Sequence, residues 1–139
     1  MADTRRVTDT FAVTAQLEVA DLPALKAAGF RHIIGNRPDS EAPEGAKAAD
    51  IKRAAEVAGL TYVHAPFAGP PTPEAIEAAT NAAGPTVAYC RSGTRSVTAW
   101  AMSQATQGAM SADQIVAAAG EAGYNLTALK DALRQLGAQ

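Results

Sequence analysis

Short apolar runs that are typical of β-strands alternate along this chain with longer runs whose apolar residues recur at helical spacing. Parallel neighbouring strands need a helix-length connection between them, so this alternation is the pattern of an α/β domain. The predicted strands span 11–13, 30–36, 60–65 and 86–89. Helices are predicted to begin near residues 21, 47, 72, 111 and 126, and one more follows the last strand. We therefore expect a central, mostly parallel sheet flanked by helices.

The spacing of apolar residues also predicts which helix faces are buried. The helix that begins near residue 72 should bury Ile76, Ala79 and Ala83, which share one face. The helix after the last strand should bury Trp100 in the core. The final helix carries its expected buried stripe at leucines 126, 129, 133 and 136.

Length, charge and cysteine content restrict the classes of function. The chain has 139 residues, 47% of them hydrophobic, so we expect a single domain over 1–139. A net charge of -2 offers no basic field for nucleic acid or for an anionic membrane. One cysteine and two histidines are too few for a structural zinc site, and we expect no metal or organic cofactor. The lone cysteine and the lack of a long apolar run near residue 1 favour a cytoplasmic location.

The segment from Tyr89 to Ser96 places the only cysteine, Cys90, between a strand and a helix. A loop that opens a helix points several N–H groups and the positive end of the helix dipole at one place, which stabilises an anion. Arg91 and Arg95 add two positive charges, and Gly93 lets the loop curl. We therefore interpret Cys90 as a nucleophilic thiolate and not as a small buried hydrophobe. The other predicted anion contacts are the amides of 91–96 and the hydroxyls of Ser92, Thr94 and Ser96.

Two other strand ends carry polar side chains. Ligands of open α/β sheets bind beyond the carboxyl ends of the strands, where Arg37 and His64 are expected to join Cys90. Either residue could contact substrate. Each also has a structural alternative. In it, His64 holds a loop against the core, and Arg37 likewise makes a structural contact and does not bind substrate.

Several short segments of this chain occur together in one bacterial family. They are Gln16-Leu17, Asp21-Leu22, Gly29-Phe30, Ile33-Ile34, Asn36-Arg37-Pro38-Asp39, Ala58-Gly59-Leu60, Tyr62 and Cys90 to Ser96. Through them, residues 11–100 resemble the phosphatase-like domains of beta-lactamase hydrolase-like proteins. The resemblance implies a fold similar to dual-specificity phosphatases, with a rhodanese-like fold as the alternative. It also implies one of two activities, because members are described as sulfurtransferases as well as phosphatase-like.

Three departures from cysteine phosphatases point toward sulfur chemistry. Four residues separate Cys90 from Arg95 where phosphatases have five, and the shorter loop resembles that of rhodaneses. Tyr89 stands where those phosphatases have a histidine. No aspartate occurs between residues 51 and 89 to serve as the general acid. The substitutes for that acid would be Asp39, Glu41 and Glu74.

The sequence therefore favours a rhodanese-type sulfurtransferase. Cys90 would take the outer sulfur of thiosulfate or of a small persulfide, while Arg95 and Arg91 hold the anionic donor. A thiol such as glutathione, or cyanide, would accept the sulfur, and a sulfide- or persulfide-oxidising enzyme is a candidate partner. Two alternatives stay open: a cysteine-dependent phosphatase acting on phosphoesters, and an anion-binding or sulfur-relay module without turnover.

Overall fold

A computed structural model describes residues 3–139, which form five strands and six α-helices. The strands lie in the order β1-β2-β5-β3-β4, and all neighbours are parallel except β1 and β2. Their bounds are Arg5–Thr8 for β1, Phe11–Thr14 for β2, His32–Gly35 for β3, Thr61–His64 for β4 and Thr86–Tyr89 for β5. The predicted mostly parallel sheet is thus confirmed.

The helices connect and flank these strands. They are α1 (Leu22–Ala27), α2 (Ala48–Ala58), α3 (Pro73–Asn81), α4 (Thr94–Gln107), α5 (Ala112–Glu121) and α6 (Lys130–Leu136), with short 3-10 turns at Val19–Asp21 and Thr127–Leu129. Local signals set several ends. The Thr72 hydroxyl accepts from the Ala75 amide at the start of α3, and Ser111 with Gln114 forms a capping box before α5. None of the helices described over residues 3–139 has the length and apolar content of a membrane-spanning segment.

The two faces of the sheet bury separate apolar clusters. Helices α1 and α2 cover one face, where Phe30, Ile33 and Ile51 are almost fully buried. Helices α4 to α6 cover the other face around Trp100, which is 1% exposed as predicted for a core residue. Side chains alternate between the faces of a strand, so one short strand contributes to both clusters. The sheet is therefore held rigidly on both sides.

Three sequence expectations are corrected. Helix α3 buries Ala75, while Ala83 lies beyond the helix and is exposed. Leu133 is fully buried in α6, but Leu136 is 42% exposed, so the last helix has a narrower apolar stripe than expected. Strand β1 was not predicted, because its sequence Arg-Arg-Val-Thr has a single buried residue and no apolar alternation. Strand β1 forms because it pairs with β2, since its own sequence carries no strand pattern.

The strand order determines where the candidate site lies. Strand β5 runs between β2 and β3, and Cys90 follows it directly. Asn36 follows β3 and Ala65 follows β4 at the same edge of the sheet. This central carboxyl edge is where ligands of open α/β sheets bind.

Candidate active site

Cys90 lies at the bottom of a loop between β5 and α4 and is 1% exposed. The Gly93 amide donates a hydrogen bond to Cys90 Sγ at 3.1 Å. Gly93 is the N-cap of α4 and has a φ of 96°, in the left-handed region that favours glycine. This geometry turns the loop amide inward and places the sulfur at the helix N-terminus, as an anionic nucleophile requires.

Two loops outside the sheet, which contain Glu41 and Phe67, hold the side chain of Arg95. Its Nη1 and Nη2 donate to the two carboxylate oxygens of Glu41, at 3.2 and 2.7 Å, and Nη1 also donates to the Phe67 carbonyl at 3.0 Å. The pKa of Arg95 is raised, first by this hydrogen bonding to Glu41 and less by the charge of Glu41 and by the Cys90 sulfur. A guanidinium has five N–H donors in one plane. The three bonds therefore leave Nε and one Nη2 hydrogen, on a single edge, for the Cys90 sulfur and for an anion above it.

Glu41 is a site residue that the sequence indicated only as a substitute acid. The hydrogen bond from Arg95 is the main cause that lowers the pKa of Glu41, and the charges of Arg95, Arg37 and Arg91 lower it further. A carboxyl group held in its anionic form beside guanidinium groups is a poor proton donor. Arg37 Nε lies 3.8 Å from Glu41 Oε1, but residues 37–41 form turns and not a helix, so their spacing of four did not signal this contact.

The two other proposed acids also lie outside this arrangement. The Asp39 carboxylate accepts from the Ala48 amide at 2.9 Å, at the start of α2. Glu74 is in the first turn of α3 and borders a separate cavity that also contains His32 and Val63. Asp39 thus bonds the start of α2, Glu74 borders another cavity and Glu41 is held in its anionic form, so none of the three suits a proton donor for a leaving group above Cys90.

Arg37 belongs to the site cluster. Its Nη1 donates to Gln16 Oε1 at 3.1 Å, and its Nε is buried without a hydrogen-bond acceptor in the described part of the chain. Arg91 also contacts Gln16, whose backbone amide donates to the Arg91 carbonyl at 3.4 Å, and its charge helps to lower the pKa of Glu41. The Arg91 side chain is exposed. The structure therefore brings together the arginines that the sequence proposed.

The contacts of His64 fit its structural alternative, in which the side chain holds a loop in place. Its Nε2 lies 3.0 Å from the Arg37 carbonyl, and because a carbonyl only accepts, Nε2 must carry the proton. The ring stacks against Tyr62, with the two planes inclined by 26°. Through this contact His64 joins the end of β4 to the loop after β3.

Ser96 was predicted to bind the anion, and this prediction is wrong for its hydroxyl. Ser96 Oγ donates to Asn36 Oδ1 at 2.8 Å, and Asn36 Nδ2 donates to the Ala65 carbonyl at 3.0 Å. Both side chains are almost fully buried, so they join α4 to the ends of β3 and β4. The hydroxyls of Ser92 and Thr94 are 3.1 Å apart at the exposed rim of the loop.

Two tyrosines occupy the space beneath the loop. Tyr89 Oη and Tyr62 Oη are 2.8 Å apart, and burial raises the pKa of both phenols. A Cβ at Gly35 would collide with Tyr62 Oη and come within 2.9 Å of Tyr89 Oη, so glycine leaves the room for this pair. Tyr89 thus packs into the core on the α1 and α2 side of the sheet.

Tyr124 supports the loop from the C-terminal part of the chain, and no sequence pattern indicated this contact. Its hydroxyl donates to the Ser92 carbonyl at 3.0 Å. It also fills the space that a Cβ of Gly93 would need. The Tyr124 side chain therefore packs against the outer side of the Cys90 loop.

Comparison with known sequences identifies a family. A family profile described as "Beta-lactamase hydrolase-like protein, phosphatase-like domain" matches residues 3–107. A beta-lactamase hydrolase-like protein of Agrobacterium fabrum is 36% identical over 108 residues, which is 74% of this chain and 25% of that protein. Its namesake in Xylella fastidiosa strain Temecula1 is 30% identical over 125 residues, or 86% of this chain and 29% of that protein. The chain thus spans about a quarter of the length of these curated relatives.

Solved structures share the fold. A candidate phosphatase from Neisseria meningitidis Z2491 superposes with a TM-score of 0.77 and 31% identity, over 95% of this chain and 96% of that one. The complex of PTPMT1 with PI(5)P superposes with a TM-score of 0.73 over 96% of each chain, at 18% identity. At that lower identity the likeness shows the fold alone. The fold is therefore that of the cysteine-dependent and dual-specificity phosphatases.

Proposed function

The chain belongs to the family of phosphatase-like domains of beta-lactamase hydrolase-like proteins, and from that membership we propose that it is a cysteine-dependent phosphatase with Cys90 as its nucleophile. One observation carries the proposal: Cys90 Sγ accepts from the Gly93 amide at the start of α4, while Arg95 of the same helix has one guanidinium edge that Glu41 and Phe67 do not occupy. The name given to the 31% identical Neisseria structure supports phosphatase activity over sulfur transfer.

The chemistry follows from these groups. Cys90 Sγ attacks phosphorus, an S–P bond forms, and the P–O bond to the leaving group breaks. The loop amides and the free edge of Arg95 stabilise the charge on the phosphoryl oxygens. Water then hydrolyses the S–P bond and releases inorganic phosphate and the thiolate. A lone thiol nucleophile needs a reducing compartment, so we place the reaction in the cytoplasm.

Leaving groups that need no protonation suit this site. Arg95 holds Glu41 in its anionic form, Asp39 bonds the start of α2 and Glu74 borders another cavity, and loss of a general acid costs about 10²–10⁴-fold in rate. We therefore expect aryl phosphates, acyl phosphates and phosphoanhydrides to react well and alkyl phosphates to react poorly. A series of aryl phosphates of graded phenol acidity tests this, and a rate that does not vary along the series contradicts it.

Sulfur transfer is a second candidate function, because four residues separate Cys90 from Arg95 and a shorter loop offers a phosphoryl group fewer amides. Here Sγ attacks the outer sulfur of thiosulfate or of a small persulfide, the S–S bond breaks, and sulfite or a thiolate leaves without protonation. The Cys90 persulfide then gives its sulfur to glutathione or cyanide. A sulfide- or persulfide-oxidising enzyme would be the matching partner.

One comparison separates these functions. Hydrolysis of an aryl phosphate and conversion of thiosulfate and cyanide to thiocyanate are measured on one preparation, with Cys90→Ser as the control. We expect aryl phosphate turnover that Cys90→Ser abolishes. Faster thiocyanate formation, with one added sulfur on Cys90 in the intact mass, would replace the phosphatase proposal by sulfur transfer. If neither reaction occurs, the chain is an anion-binding or relay module.

A further inference from the structure

Three arginines beside the Cys90 loop share one carboxylate. Glu41 gives both oxygens to Arg95, and the oxygen nearest to Arg37, at 3.8 Å from its Nε, is the one that Arg95 already binds at 2.7 Å. Within residues 3–139 no carboxylate forms an ion pair with Arg91. The three arginines and Glu41 together thus carry a net charge of +2, in a chain whose net charge is -2.

Arg37 is buried without the partners that a buried guanidinium needs. Its side chain is 13% exposed, and its Nε donates to no acceptor in the described part of the chain. Nearly all buried N–H groups in proteins have a partner, and an unmade hydrogen bond to a charged group is costly. The Gln16 oxygen on Nη1 is neutral, and the carboxylate that pairs with Arg37, Glu41, lies 3.8 Å from Nε and is already bound by Arg95. An oxyanion from outside the chain would supply the second negative charge.

Arg37 and Arg91 flank the same residue. Gln16 accepts from Arg37 through its side chain and donates to the Arg91 carbonyl through its amide. Arg91 directly follows Cys90, so this position lies next to the loop. The Glu41 carboxylate lies between this position and Arg95, since Glu41 Oε1 is 2.7 Å from Arg95 Nη2 and 3.8 Å from Arg37 Nε.

Resting on the proposed function, we propose that the substrate carries two oxyanionic groups. The reacting group sits above Cys90 on the loop amides and Arg95, and a second phosphate or carboxylate sits between Arg37 and Arg91. Guanidinium groups recognise both kinds of oxyanion through paired N–H donors. The ligand class is therefore a small molecule with a second acidic group close to the transferred one.

Three ligands that cannot be hydrolysed test this by calorimetry on the wild-type chain. Methylphosphonate has one anionic group, phosphonoacetate adds a carboxylate, and methylenediphosphonate adds a phosphonate. We expect at least one of the last two to bind about tenfold more tightly than methylphosphonate, as one added charge-assisted contact allows. Which of them gains affinity identifies the second group as carboxylate or phosphate.

Variants assign that gain to the arginines. Arg91→Gln changes an exposed side chain, and the three ligands should then bind with nearly equal affinity. Arg37→Lys keeps the positive charge but loses the paired N–H donors of the guanidinium, so it should reduce the gain in affinity. Arg53→Gln replaces an exposed arginine of α2 and is the matched control, so this variant should keep the gain in affinity. Equal affinities in the wild type, or a gain that survives Arg91→Gln, would overturn the proposal. Binding needs no turnover, so this result stands apart from the Cys90 assays.

Discussion

Gly93 occupies a position of the Cys90 loop where both the backbone angle and the available space exclude a side chain. Its φ of 96° is unfavourable for other residues, and an added Cβ would collide with Tyr124 Oη. Gly93→Ala should therefore shift the amide that binds Cys90 Sγ and lower kcat/KM about 10²-fold, the cost of a misplacement of roughly 1 Å. Steady-state assays with an aryl phosphate measure it. Gly120→Ala, where the added methyl meets nothing, is the control, and equal rates for both variants would contradict the role of the loop amide.

Glu41 should act as a positioning residue for Arg95. Glu41→Gln removes the charge but little volume, so Arg95 loses its anchor and kcat/KM should fall, mainly through a higher KM for the anion. The pKa of Glu41 is lowered by its hydrogen bond to Arg95, so the wild-type pair is present above the ordinary glutamate value of about 4.3 and is lost only as pH falls through the lower folded value.

The pH profile separates this role from a purely structural one. Wild-type kcat/KM should approach that of Glu41→Gln only below the ordinary glutamate range, while the variant shows no such step. Glu44→Gln, an exposed neighbour on the same loop, should behave like the wild type. A higher affinity for phosphate in Glu41→Gln would instead mean that the carboxylate competes with substrate for Arg95.

Strands β3 and β4 and helix α4 are joined by one buried pair of polar side chains. Ser96→Ala would leave Asn36 Oδ1 without its donor, at a cost of about 1–3 kcal/mol in the free energy of unfolding. Asn36 also holds the Ala65 carbonyl, next to the loop whose Phe67 carbonyl binds Arg95, so the activity of the folded protein should fall as well.

Urea denaturation and assays at low denaturant test both effects of Ser96→Ala. Ser103→Ala is the matched control, since Ser103 is fully buried in α4 and bonds Thr80 and Gln107 away from the Cys90 loop. It should lose stability and keep kcat/KM. If Ser96→Ala is as stable as the wild type, the polar pair does not join these elements.

Across the whole molecule, the sequence predicts what local patterns encode. Cys90, Gly93 and Arg95 lie in one segment whose strand, glycine and helix signals are adjacent, so their arrangement could be predicted. Glu41 and Tyr124 reach that segment from positions 54 and 32 residues away from their partners. Such contacts depend on how loops fold over the sheet edge, and no local pattern specifies them. For the same reason β1, whose order comes from pairing with β2, escaped prediction.

All three tyrosines of the chain should resist ionisation in the folded protein. Burial is the main cause that raises the pKa of Tyr62, Tyr89 and Tyr124 above the ordinary value of about 10. A raised folded pKa contributes stability that is fully present below the unfolded value and is lost as pH rises through the folded value. The fold should therefore weaken above about pH 10, where unfolded tyrosine ionises.

An alkaline titration followed by tyrosinate absorbance and circular dichroism measures this. We expect little tyrosinate at pH 10 in the native protein and then a joint, cooperative change in both signals, while the urea-unfolded chain titrates near the ordinary value of about 10. Tyr62→Phe removes one phenol and the partner of Tyr89 Oη, so it should reduce the amplitude and leave Tyr89 buried. Half-ionised tyrosines at pH 10 with an intact dichroism spectrum would show that the space beneath the Cys90 loop admits water. The packing that fixes β5 under the nucleophile would then be looser than the contacts of Tyr62 and Tyr89 with Gly35 require.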